Sequence, residues 1–260
     1  MGHIRLGRLA KTHAWADLVA LLDLDDVEVA SVATATTIGA QDRLQELRHD
    51  PVLAYAMWLL SRLATAAQSD DFVSNAAQVG LRVTGDDSAL VVIARINALM
   101  REELEQHPAS GPFGEIASLA LRRALLETVG VEQPSLFGST LSDLERAFRQ
   151  GMTDRAFGDL SRRFFGDYLA RTLRYYLDKE LPFHIGPGTA FGTIEASSDF
   201  VDDLDTYTRQ SARIVETFAA DWLSKYAFHE TGQISREQVQ SFVATAMSKL
   251  CAELRGEVVA

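Results

Sequence analysis

A chain of 260 residues, 47% of them hydrophobic and 23% charged, holds enough apolar material for one substantial core or two smaller ones, which excludes disorder of the whole. The formal net charge of −11 and a pI near 5.0 exclude a global attraction to nucleic acid or to an anionic membrane surface, though not a local basic patch. The single cysteine, Cys251, rules out an intramolecular disulfide and suits a reducing compartment.

No apolar run approaches the ~20 residues that span a membrane, and no secretory h-region follows the basic N-terminus. Leu6 stands where a myristoylation signal needs Ser or Thr, so the expected location is the cytoplasm. Arg greatly outnumbers Lys and Ala is abundant, which points to a GC-rich bacterial genome.

In chain order, His3–Leu9 alternates weakly and reads as one short strand or an extended arm. Thr12 is placed to cap a helix carrying Trp15, Leu18, Val19 and Leu22. Val27–Leu47 reads as helix, with a break near Gly39. Asp50-Pro51 is a strong start signal, an acidic N-cap with Pro at the first helical position, for a helix through Leu53, Met57, Leu60 and Leu63. Residues 80–94 fit a hairpin around Gly-Asp-Asp or a helix. The apolar run on to Leu104 favours helix, capped by Asp87 or Ser88.

His107–Gly114 is a linker, Phe113–Thr128 a helix, and Val129–Thr140 a second break. Ser142 with Glu145 spells a capping box, as does Ser235 with Gln238. Between them come two long amphipathic helices, Asp154–Lys179 and Asp199–Tyr226, and a third follows Ser235. The expected fold is all-α: an irregular bundle of about 8–10 helices whose three long C-terminal members form the main bundle. Residues 1–110 read as an N-terminal helical subdomain and 111–260 as a C-terminal bundle, whether or not they share one core.

Three clusters invite a functional reading. Arg155, Arg162, Arg163, Arg171 and Arg174 interleave with aromatics, as in a nucleic-acid surface. Acids at four-residue spacing (Asp159, Asp167, Asp178) cancel them, so a solvated, salt-bridged face is the stronger reading and nucleic acid is not the expected partner. Glu195, Asp199, Asp202, Asp203 and Asp205 form an acidic run without the pattern of a calcium loop. Asp199, Asp202 and Asp203 fall in the first turn of the expected helix, where they offset its dipole or meet a basic partner. The connection Pro182–Ser197 is long for a helix–helix link and rich in glycine. It makes His184, Gly186, Gly188 and Glu195 the candidates for binding a small molecule or nucleotide, or for acid–base work.

Arg5 and Arg8, in a basic arm on an acidic chain, are further partner-binding candidates. Neither H-E-x-x-H, paired Cys–His spacing nor G-x-S-x-G is present, so no metal, cofactor or catalytic residue is expected. The leading expectation is a non-catalytic helical accessory subunit or adaptor of a bacterial cytosolic complex. It acts by binding another protein or a second copy of itself. The alternatives are a small-molecule or nucleotide site at 182–197 and nucleic-acid binding through 155–179.

Overall fold

The computed structural model describes residues 13–24, 27–129, 141–229 and 234–257, and among these the fold is all-α with no named strand. The N-terminal helices are α1 (His13–Leu22), α2 (Val29–Gly39), α3 (Gln41–Leu47), α4 (Pro51–Gln68), α5 (Phe72–Ala77) and α6 (Ala89–Gln106). They are followed by α7 (Gly111–Thr128), α8 (Leu141–Gly151), α9 (Asp154–Leu177), α10 (Ile194–Ser211), α11 (Arg213–His229) and α12 (Arg236–Leu254). No helix of the described residues is long and apolar enough to cross a membrane. The N-terminal arm with Arg5 and Arg8, the Thr12 cap and most of the 129–140 break lie outside the described residues.

Two helices organise the packing. In α4 nearly every side chain from Val52 to Ala67 is buried, as expected of a helix apolar all round. Its start is fixed locally: Asp50 Oδ1 accepts from Val52 N at 3.0 Å and Leu53 N at 2.9 Å. The other helix is α9, which lies against α7, α10 and α11 and buries Phe157, Phe164, Phe165 and Tyr168. Buried apolar side chains from Trp15 to Leu254 form one continuous cluster. Cys251 belongs to it, in the C-terminal part of α12, and Thr34 Oγ1 of α2 donates to Leu254 O at 2.7 Å. The Ser235–Gln238 capping box closes in both directions, at 2.8 and 3.2 Å.

Several boundaries differ from the pattern. Residues 81–87 are neither hairpin nor helix. Gly80, at φ 81°, ends the turn after α5, and Leu81 and Val83 enter the core from irregular backbone. Asp87 then ties the segment to Arg95 by paired hydrogen bonds, and Ser88 caps α6. Ser142 lies inside the first turn of α8 rather than at its cap.

The helix expected over Asp199–Tyr226 begins at Ile194, with Thr193 as its cap, and breaks at Ala212 into α10 and α11. Apolar spacing runs unbroken across Ala212, so periodicity could not mark that break. The glycines of α9 do explain the closeness of the fit. A Cβ on Gly158 would lie 2.5 Å from Glu216 O of α11, and one on Gly166 would lie 3.2 Å from Ala212 Cβ.

Candidate functional site

The connection between α9 and α10 is a tightly bonded loop. Leu181–His184 forms a 3₁₀ turn, and Ile185 pairs with Phe191 as an isolated bridge. Gly186 N donates to Phe191 O at 2.8 Å and Phe191 N to His184 O at 3.0 Å. Thr189 Oγ1 donates within the loop to His184 O at 2.8 Å and Gly186 O at 2.9 Å. Gly186 and Gly188 take positive φ, 143° and 77°, which glycine adopts without a steric penalty. With the Gly186 and Phe191 amides engaged inside the loop, they are not offered to a phosphate.

His184 is buried, and its Nδ1 lies 3.0 Å from Oδ1 of Asp23, at the end of α1. Nearby, Trp15 Nε1 donates to Glu180 Oε1 at 3.1 Å, so α1 is latched twice to the segment after α9. Glu195 is exposed in the first turn of α10. Its carboxyl is held below the ordinary value by its own backbone N–H and by the Thr193 hydroxyl. The carboxylate beside His184 is thus that of Asp23, while Glu195 and Asp199 stand exposed on α10. Gly186 and Gly188 shape the turn.

The same loop displays large apolar side chains. Leu181, His184 and Phe191 point inward, Phe191 against Phe200 at 5.0 Å between ring centroids. Phe183 is 77% exposed and Ile194, the first residue of α10, 72%. Leu24, 51% exposed, follows the latch residue Asp23. Beyond Ile194 the exposed acids Glu195, Asp199, Asp202 and Asp203 climb the first three turns of α10. The three aspartates therefore sit past the first turn, beyond the strongest reach of the helix dipole, which leaves that offset to Glu195.

A second arrangement lies between α7, α9 and α10. Asp167 is 2% exposed and is clamped by arginines from all three helices. Its Oδ1 accepts from Arg209 Nη2 at 2.9 Å and Arg123 Nη1 at 3.3 Å, and its Oδ2 from Arg171 Nε at 2.6 Å. These arginines and Arg174 line a cleft of about 670 Å³, with Ile116 and Tyr175 on its wall. Asp205, also lining it, has its carboxyl pushed above the ordinary value by burial, and its Oδ1 has no hydrogen-bond partner. Arg174 reaches Asp178 only at 3.6 Å.

The α9 arginines thus divide. Arg162 and Arg163 pair with Asp159, and also with Glu216 and Glu127 respectively. Arg171 joins the buried clamp. The one-helix reading of Asp167–Arg171 as a solvated pair missed Arg123 and Arg209, which come from other helices. Gly166 beside Asp167 is the signal that could have marked this turn as a close interface. Among the described residues no group of three or more His, Cys, Asp or Glu side chains is arranged to hold a metal ion. The chain matches no protein-family model, no curated protein and no solved structure.

Proposed function

We propose that this chain is a non-catalytic helical binding protein of the bacterial cytosol, acting as an accessory subunit or adaptor. It docks a protein partner on the 181–194 loop and the first turns of α10. The observation that carries this reading is the exposure of Phe183, on a loop that its own hydrogen bonds and the His184–Asp23 contact hold in shape, and of Ile194 at the start of α10. Large apolar side chains presented on a pre-organised element supply binding energy without an ordering cost. The acids on α10 select what surrounds the contact: a partner offering an apolar side chain ringed by Lys or Arg.

The test is native co-purification of the full chain beside two variants. A partner retained by the wild type is expected to be lost from Phe183→Ser/Ile194→Ser, since truncating a central anchor costs about 2 kcal/mol or more. It is also expected to be released by salt and weakened in Asp202→Asn/Asp203→Asn. A chain that stays alone, or a partner indifferent to both variants, counts against the reading.

A further inference from the structure

We infer that the cleft between α7, α9 and α10 is a binding site for a small phosphate monoester, its phosphate received by Arg123, Arg171, Arg174 and Arg209. Each guanidinium carries five N–H donors, and the clamp on Asp167 engages few of them. Arg171 gives Asp167 its Nε, and its charge also acts on Asp205. Arg209 Nε is buried with no hydrogen-bond partner. Arg174 makes one long contact, to Asp178 at 3.6 Å. Asp167 thus holds three of the arginines, with Glu127 sharing Arg123 at 2.7 Å and Asp205 sharing Arg209 at 3.4 Å, and all three arginines line the cleft.

The geometry selects among anions. Asp167 already takes one nitrogen from each of three arginines, and Asp205 takes a second contact from Arg209. Donors converging from three helices suit the tetrahedral oxygens of a phosphoryl group. The charge balance limits the rest of the ligand. Four arginines share the cleft lining with Asp178, Asp202 and Asp205, and three of them also hold Asp167, so a polyanion would meet the aspartates as well. Asp178 and Asp202, exposed at the rim, and Thr206 accept from hydroxyl or amine groups on the ligand's body. A volume of about 670 Å³ falls within the ~300–1,000 Å³ of small-molecule sites. The ligand class is a phosphate monoester with a short polar body bearing hydroxyls or an amine.

Calorimetric titration of the full chain with inorganic phosphate and with phosphoethanolamine tests this, with acetate as the carboxylate control. Both phosphates are expected to bind saturably at one site. Arg174→Ala, which removes the 3.6 Å contact to Asp178 and a charge acting on Asp205, is expected to weaken them about tenfold, the loss of one charge-assisted hydrogen bond. Arg171→Gln is expected to weaken them further. Should that variant fail to fold, Arg174→Ala still carries the test. Absence of saturable binding by both phosphates, unchanged affinity in Arg174→Ala, or acetate binding as tightly as phosphate would each overturn the assignment.

Discussion

His184 Nδ1 and Asp23 Oδ1 lie 3.0 Å apart, joining the turn after α9 to the end of α1, yet the two side chains are 7% and 68% exposed. That asymmetry gives a prediction. Asp23→Ala is expected to cost under about 1 kcal/mol, because water screens the exposed partner. His184→Ala empties a buried position and is expected to cost about 1–3 kcal/mol. Urea unfolding of the two variants checks this, and equal losses would mean that the contact outweighs the burial.

The clamp on Asp167 predicts a larger effect. Asp167→Ala would leave Arg123, Arg171 and Arg209 facing one another without their buried counter-charge, at a cost of about 3–5 kcal/mol. Asp167→Asn, which keeps an acceptor, is expected to cost less. Arg155→Ala, on the exposed side of the same helix, serves as a control within about 0.5 kcal/mol. Chemical denaturation ranks the three.

The seam of α9 against α10 and α11 can be probed with single methyl groups. Gly158→Ala places a Cβ 2.5 Å from the backbone oxygen of Glu216, which cannot yield without moving α11, and is expected to cost about 1–3 kcal/mol. Gly166→Ala meets Ala212 Cβ at 3.2 Å and is expected to cost less. Gly192→Ala meets nothing within 4 Å and is expected to be neutral. Thermal midpoints in that order support the close packing.

Acid dependence follows from the exposed side of α7 and α9. Burial alone would raise the Glu127 and Asp159 carboxyls, but arginine hydrogen bonds (Arg123 and Arg163 on Glu127, Arg162 and Arg163 on Asp159) hold them below their ordinary 4.5 and 3.8. The unfolded chain therefore takes up these protons first, and stability present above those values is lost as pH falls through them. Asp205 has the opposite sign, since burial raises it above 3.8 and its protonation relieves the folded state. Asp87 under Arg95 and the exposed Glu195 are depressed as well, so the lowered carboxyls outnumber the raised Asp205 and stability is expected to fall below about pH 4.5. Arg163→Gln, which removes a partner from both Glu127 and Asp159, is expected to flatten that fall in urea midpoints measured across the range.

Much of the helical order was legible because its causes are local. Asp50-Pro51 and Ser235–Gln238 start their helices with the side chains that the pattern names. What escaped depends on neighbours distant in sequence. The break at Ala212 leaves no trace in apolar spacing. The irregular 81–87 segment buries Leu81 and Val83 without adopting either period. At the candidate sites, the 182–197 loop stood out by its glycines, but Asp23, the partner of His184, lies on α1's side of the chain and no spacing rule points to it. The arginine cleft was hidden for the same reason: a pair at four-residue spacing looks identical whether it faces water or two more helices.

Cys251 turns these packing relations into something that can be timed. Its thiol is buried in α12, the helix that rests on α4 and α2, and burial pushes its ionisation up, so the nucleophilic thiolate is scarce in the closed protein. A thiol reagent added to the folded chain is therefore expected to label molecules in which the packing over Cys251 has opened. The rate of that labelling is a clock for local opening, read from the chain's one sulfhydryl without any engineered dye.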